Sequence, residues 1–285
     1  MSKVAVVTGA TSGIGKAVVE LLLKEGIHVV GLGRNTEKID SVKNEFKALT
    51  KLANLDFVLG DLSDNRQVNL AAEDLKALIN DKYHGKIDIL MNVAGIVSSG
   101  RHLNEDGNEV TFAINHLAVF LLTYHMIPCL KKSSDPRILV VSSLSHYWAS
   151  INWKNIQSQK LYNILKGYKR SKLYNVLFVK EFSRRFNDIK IYAIDPGLVK
   201  TELGLKRTNG LAYAIWNSRM NKGTNPLYPA GFMIDVATKK DYNLMSGHYI
   251  KKGVSVQSSK VSYSIIDAKK LWEYSEALAH IKFEF

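Results

Sequence analysis

Tyr168 and Lys172 lie four residues apart in the stretch Gly167-Tyr168-Lys169-Arg170-Ser171-Lys172. On a helix that spacing puts both side chains on one face. A phenol beside an ammonium gives up its proton more easily than a free tyrosine, whose pKa is about 10. Such a pair can act as a general acid/base if the rest of the chain supplies a cofactor and a carbonyl. A second pair with the same spacing, Tyr162 and Lys166, stands just before it. Spacing alone does not choose between them.

The elements that must position such a pair begin at the amino end. Lys3 to Thr8 is a short β-branched run without alternation, as expected of a strand buried on both faces of a parallel sheet. Gly9-Ala10-Thr11-Ser12-Gly13-Ile14-Gly15 follows, then a helical pattern from Lys16 to Glu25 and a second buried strand from Ile27 to Gly33. Strand, glycine turn, helix and strand make the βαβ unit of a dinucleotide-binding fold. Such a turn needs backbone freedom, and a pyrophosphate must approach the main chain closely. Thr8, Gly9, Thr11, Ser12, Gly13, Ile14 and Gly15 are therefore candidate cofactor residues. An NAD site carries a carboxylate at the end of its second strand to accept from the ribose 2′-hydroxyl. Here that position reads Gly33-Arg34-Asn35, and a guanidinium there suits a 2′-phosphate. NADP(H) is favoured over NAD(H).

Further strands are expected at Leu55 to Leu59, Ile87 to Met91, Ile138 to Val141, Ile189 to Ile194 and Gly247 to Lys251. Their carboxyl ends carry Asp61-Leu62, placed to meet an adenine, and Asn92-Val93-Ala94-Gly95, small enough for close passage of the cofactor. They also carry Ser142-Ser143 and Asp195-Pro196-Gly197, with Thr201 four residues on. Ligands of open α/β sheets bind at these ends. Helices are expected over Thr36 to Leu49 with Thr36 as cap, Arg66 to Asp81 capped by Ser63 or Asp64, Glu105 to Leu130, and Asp267 to Ile281. Asn115 falls in an apolar context. It either serves as a locally satisfied core amide or orders water near a catalytic lysine. Leu203 to Phe232 has no clean period and reads as an apolar flap over a substrate or as packed irregular chain.

Composition excludes several classes. The 285 residues carry a formal charge of +13, but the basic residues are scattered in doublets such as Lys131-Lys132 and Arg184-Arg185. That pattern is a lysine-rich surface, not a nucleic-acid footprint. The single cysteine, Cys129, can form neither an intrachain disulfide nor a zinc site, and no metal is expected. Phe112 to Leu122, interrupted by Asn115 and His116, is too short to span a bilayer. A cytoplasmic protein is expected, with no transmembrane segment and contact with a membrane surface left open.

In this order, Thr8-Gly9-x-x-x-Gly13-x-Gly15, Asp61-Leu62, Asn92-Val93-Ala94-Gly95, Asn115, Ser143, Tyr168-x-x-x-Lys172 and Pro196-Gly197 with Thr201 resemble the short-chain dehydrogenase/reductase family. Asn115-His116-Leu117, Ser142 to His146 and Lys270 to Glu276 look like its retinol dehydrogenase-like branch. The resemblance implies one Rossmann domain over residues 1–285 with 203–232 as substrate flap. Its doubly wound parallel sheet would have about seven strands, with helices on both faces. It implies hydride transfer between NADP(H) and a small hydrophobic carbonyl or alcohol, with Tyr168 as acid/base and Lys172 lowering its pKa and holding the nicotinamide ribose. It further implies Ser143 as donor to the carbonyl oxygen, Asn115 holding a water, and Thr201 seating the nicotinamide amide. Ser171 before the lysine matches the family, and helical periodicity continues from Lys172, whereas Gly167 interrupts the earlier pair. Tyr168 and Lys172 are therefore chosen. Family members commonly pair through the helices holding Asn115 and Tyr168, so a homodimer is open. Val93 departs from the usual second asparagine, and a looser fourth strand end is expected. The alternative is an NADP(H)-binding regulator without turnover.

Overall fold

The computed structural model describes residues 2–49, 53–201, 203 and 221–284. Among these residues, eight strands form one sheet: β1 (Val4–Thr8), β2 (His28–Gly33), β3 (Leu55–Leu59), β4 (Ile89–Asn92), β5 (Arg137–Val141), β6 (Lys190–Asp195), β7 (Tyr249–Lys251) and β8 (Val254–Val256). Their order is β3-β2-β1-β4-β5-β6-β7-β8. The first seven are parallel, and β8 returns antiparallel along β7. Strand order reverses between β1 and β4, which opens the crevice of a doubly wound fold at their carboxyl ends. Register aligns those ends, with Thr8 beside Leu32, Asn92 beside Val140 and Val141 beside Ile194. Every residue of β1 and β5 is buried, as covering both faces of a parallel sheet requires.

Among the described residues, seven principal helices cover the sheet: α1 (Gly13–Lys24), α2 (Thr36–Glu45), α3 (Asn65–Tyr83), α4 (Val110–Leu130), α5 (Ile164–Arg185), α6 (Leu227–Thr238) and α7 (Ile265–Ala279). Two cores result. Val18, Leu22, Met91, Ala230 and Met233 pack on the α1–α6 side, and Leu75, Phe120, Leu121, Phe178 and Trp272 on the α3–α4–α5–α7 side.

Several boundaries differ from the sequence expectation for physical reasons. The cap of α2 is Asn35, not Thr36, because its Oδ1 accepts from the Lys38 N–H at 2.8 Å. Asp64 caps α3, accepting from Gln67 N–H at 2.9 Å. The helix holding Asn115 starts at Val110, not Glu105, where the Glu109 carboxylate accepts from the N–H groups of Thr111 and Phe112. Residues 227–232, expected as flap, open α6, and Ala230 and Met233 are fully buried beside α1. Residues 204–220 of the expected flap lie outside the described residues.

The run Val110–Leu130 is also longer than expected. It has 21 residues and a mean hydropathy of 1.5, long and apolar enough to cross a membrane, but 89% of that window is buried inside the fold. Its cover includes α7 and the chain after it. Trp272 lies against Phe120, Phe178 and Phe283 at centroid distances of 5.1, 5.8 and 4.6 Å. The ring of His116 meets Ser275 Oγ at 3.0 Å.

Candidate active site

The glycine turn connects β1 to α1. Gly9 and Gly13 hold φ of +68° and +54°, a region that favours glycine. Gly15 is required for space, since an added Cβ would sit 2.2 Å from the Gly9 carbonyl oxygen. Ser12 occupies the cap position of α1 but makes no side-chain cap bond, so no capping side chain satisfies the first N–H groups. Such a helix end is an anion site. Thr8 ties the turn to the next strand end, its Oγ1 accepting from the N–H groups of Val93 and Ala94 at 3.0 Å each. Val93, where a looser strand end is expected, takes part in this clamp through its N–H.

One cleft of about 1650 Å³ runs from this turn to the far side of the sheet. It is lined at one end by Gly9, Thr11, Ser12, Gly13, Ile14, Gly15, Arg34, Asp61 and Leu62, and in the middle by Ala94 and Gly95. Pro196, Gly197 and Thr201 form the opposite lip, where Thr201 Cγ2 would lie 3.0 Å from a Cβ on Gly13. Arg34 is exposed at the end of β2. Asp61 Oδ1 accepts from the Leu62 N–H at 2.7 Å. Asn92 does not line the cleft. It is buried behind β4, where Nδ2 donates to Thr123 Oγ1 at 3.2 Å.

At the inner end, Ser143, Tyr168 and Lys172 line the same cleft. Tyr168 and Lys172 share a face of α5, with Lys172 Nζ 5.6 Å from the Tyr168 ring centroid. Lys172 is buried, and its Nζ donates to the Val141 carbonyl at 3.0 Å. Ser142 anchors the same helix to the end of β5 by donating to the Lys172 carbonyl at 2.8 Å. Asn115 is fully buried in a π turn over Ala113–Leu117, a local widening that recurs at functional sites. Its Oδ1 accepts from Ile96 N–H at 2.7 Å, and its Nδ2 donates to Ile96 O at 2.9 Å and Ser171 Oγ at 3.1 Å. A Cβ on Gly95 would lie 3.2 Å from Asn115 Oδ1 and 3.6 Å from Lys172 Nζ, so Gly95 keeps the two side chains close.

The electrostatics differ from the expectation of an acidified phenol. Burial pushes Tyr168 up to about 12; a hydrogen bond with Ser143 pulls it down, and the Asp195 carboxylate pushes it up. Burial lowers Lys172 to about 8. The phenol therefore holds its proton at neutral pH.

The competing pair is not built. Tyr162 precedes the Asn163 cap of α5, so Tyr162 and Lys166 do not share a helix face. Gly167 lies inside that helix and does not break it. The Tyr162 hydroxyl donates to Ser98 O at 3.0 Å.

The model of the short chain dehydrogenase family matches residues 3–211. The chain belongs to that family. Mouse retinol dehydrogenase 12 is 32% identical over 286 residues, covering 99% of this chain and 88% of its own length. Human retinol dehydrogenase 11 is 32% identical over 276 residues, covering 96% and 84%. These relatives place it in the retinol dehydrogenase-like branch. Among solved structures, an uncharacterized protein from Mycobacterium paratuberculosis superposes with a TM-score of 0.74 at 25% identity, covering 99% of this chain and 95% of that one. The angucycline ketoreductase LanV with bound NADP shares the fold, with a TM-score of 0.68 at 20% identity over 88% of this chain and 94% of its own. This short-chain dehydrogenase is accordingly an oxidoreductase acting on CH–OH donors, with a nicotinamide cofactor and a small-molecule substrate.

Sequence reasoning missed parts of the cleft. Lys38, in the first turn of α2, lines it near Arg34. Leu144, Trp148, Leu165 and Leu198 wall the opposite end together with Leu227 of the segment expected as flap, all at least 38% exposed. Their signal is exposure of large apolar side chains around one opening, which a linear pattern does not carry.

Proposed function

We propose that this short-chain dehydrogenase interconverts a hydrophobic aldehyde or ketone, retinoid- or steroid-like, and its alcohol, using NADP(H). The observation that carries the reading is the continuity of one cleft, with Gly9 to Gly15 and Arg34 at one end and Ser143, Tyr168 and Lys172 at the other. The cradle fits a dinucleotide. Gly15 leaves no room for a side chain, and the first N–H groups of α1 have no capping side chain. When bound, the nicotinamide supplies or accepts the hydride.

The chain's own residues do the rest. Ser143 donates to the carbonyl oxygen, where charge grows during reduction. Tyr168, protonated at neutral pH, gives its proton to that oxygen, and takes it back from the alcohol in reverse. Lys172 binds the nicotinamide ribose, and its ammonium stabilises negative charge on the phenol oxygen during proton transfer. Asn115 braces Ile96 beside Lys172, at the place where a water would link that ammonium to solvent. Thr201 seats the nicotinamide amide. Arg34, with Lys38 beside it, binds the 2′-phosphate. The apolar wall and the retinol dehydrogenase names of the relatives support a hydrophobic substrate.

The test is NADPH consumption against a panel of retinoid, steroid, aliphatic and aromatic carbonyls. Tyr168→Phe should bind NADPH as the parent does and lose turnover by ~10³-fold or more. Near-parental turnover would refute the acid/base role. Arg34→Asp should lower the preference for NADPH over NADH by ~10-fold or more. An unchanged preference would remove Arg34 as the phosphate ligand.

A further inference from the structure

The carbonyl that holds Lys172 faces a gap in the sheet. β4 pairs with β5 only as far as Asn92 beside Val140, where the strands part at the crevice. The next N–H groups in the chain, those of Val93 and Ala94, go to Thr8 Oγ1. On the other side of β5 the Ser142 N–H donates to the Ile194 carbonyl at 2.7 Å. In a trans peptide the N–H and the C=O point opposite ways, so the Val141 carbonyl is turned away from β6 and towards that gap. Two side chains of α5 fill it. Lys172 Nζ donates to Val141 O at 3.0 Å and Asn175 Nδ2 at 3.2 Å. A carbonyl oxygen has two lone pairs, and both are used.

Asn175 is held in turn. With its Nδ2 on Val141, its Oδ1 meets Nδ1 of His116, in the π turn of α4, at 3.3 Å. An amide oxygen only accepts, so that ring nitrogen carries the proton. Burial keeps the imidazole neutral at pH 7, which leaves Nε2 as an acceptor. It takes the hydroxyl proton of Ser275 on α7, whose Oγ stands 3.0 Å away. The Leu271 carbonyl, 2.8 Å from the same Oγ, is the alternative acceptor for that proton. His116, Asn175 and Ser275 are all buried, and neither His116 nor Asn175 lines the cleft. The rings of Phe112, Phe120, Tyr174 and Phe178 surround His116. An apolar side chain would suit that setting, and polar groups there are costly unless every one is paired. The pairing observed leads to one atom, Val141 O.

We propose that Asn175 and His116 are positioning residues for Lys172: the imidazole orients the amide, the amide fixes the Val141 carbonyl, and that carbonyl sets where the ammonium stands beside Tyr168. The inference rests on the reading of Lys172 as the group that binds the nicotinamide ribose and stabilises charge on the phenol. Without the amide, Val141 O keeps one donor, and the peptide and the ammonium are free to shift together. Ser275 completes the chain of hydrogen bonds, so the site is tied to α7, far later in the sequence. No bond is made or broken along it. No proton passes to Lys172, because a carbonyl oxygen ends the chain.

The first test uses the full chain and needs no ligand. Nitrogen NMR of the His116 ring at pH 7 should show a neutral imidazole with its proton on Nδ1, and a proton on Nε2 would overturn the proposal. The second is NADPH affinity by titration calorimetry, with turnover of a carbonyl of the panel counted per NADPH site. Asn175→Leu and His116→Leu keep much of the volume and lose the hydrogen bonds. In each, NADPH Kd should rise and kcat should fall ~10-fold or more, as a small misplacement of a reacting group does. In His116→Asn the amide nitrogen reaches the place of Nδ1, so this variant should bind NADPH more tightly and turn over faster than His116→Leu, although it leaves a cavity. A role in packing alone predicts the reverse order. If Asn175→Leu does not fold, the two His116 variants decide. Parental Kd and kcat in the leucine variants, or His116→Leu ahead of His116→Asn, would overturn the proposal. Parental NADPH affinity and turnover in Lys172→Met would instead overturn the reading of Lys172 beneath it.

Discussion

Gly15 offers a sharp perturbation because its surroundings are backbone. In Gly15→Ala the new Cβ would stand 2.2 Å from Gly9 O and 2.7 Å from Gly9 C. Real contacts of this kind need roughly 1 Å more. Gly9 cannot withdraw freely, because its own outer side faces Ala94, whose Cα would be 3.1 Å from a Cβ there. The turn must therefore open at the point where a pyrophosphate approaches it. The overpacking should cost about 1–3 kcal/mol, or roughly 2–10 °C in Tm for a chain of this size. NADPH affinity should fall by ~10-fold or more, since 1.4 kcal/mol is one decade and several N–H contacts shift together. Gly26→Ala is the control. Gly26 has φ of +71° with nothing within 4 Å of an added Cβ, so strain alone should cost ~1–2 kcal/mol. Tm by differential scanning calorimetry and NADPH Kd by titration calorimetry separate the two. The pair should lose similar stability, and only Gly15→Ala should lose NADPH. Parental NADPH affinity in Gly15→Ala, or an equal loss in Gly26→Ala, would refute the reasoning.

Two further outcomes follow from the packing. Trp272→Ala removes a 2% exposed indole from among Phe120, Phe178 and Phe283 and should cost about 3–5 kcal/mol by urea unfolding, with a cost under 1 kcal/mol contradicting the role of α7 as core. Burial lowers His116 from 6.5 to about 4, against a hydrogen bond that its Nδ1 donates to Asn175 Oδ1 and that raises it, and burial likewise lowers His125 to about 4. A depressed histidine means that the unfolded chain binds the proton first. Stability should therefore fall as pH drops from 6.5 towards 4, with His116 contributing about 3 kcal/mol across that window. Urea midpoints at pH 7 and pH 5 check the sign, and a midpoint that rises at pH 5 would contradict it.

Much of the sheet was legible because parallel strands buried on both faces leave unbroken apolar runs, as in Val4–Thr8 and Arg137–Val141. The glycine turn was legible because its chemistry is local. The helix Leu227–Thr238 was not. Pro229 and Gly231 blunt its period, and it is held by burying Ala230 and Met233 beside α1, which only tertiary structure reveals. Arg137 read as a strand flank, yet it is fully buried and donates to the Val236 and Lys239 carbonyls at the end of α6. The π turn around Asn115 leaves no compositional mark. Asp195 looked like a strand end before Pro-Gly. One of its carboxylate oxygens is sealed from solvent, which depends on the approach of β7, more than fifty residues later in the chain.

The order in which the chain is made gives the cover of α4 another meaning. Val110–Leu130 leaves the ribosome long before Ile265–Ala279 and Phe283, which lie over its π turn and over Phe120. Until those residues emerge, part of an apolar segment as long as a membrane span lacks the cover that they provide. Completion of that side of the fold therefore waits for residues 265–283 to emerge. A ribosome stalled before residue 265 would hold a nascent chain that chaperones or a bilayer recognise by that helix.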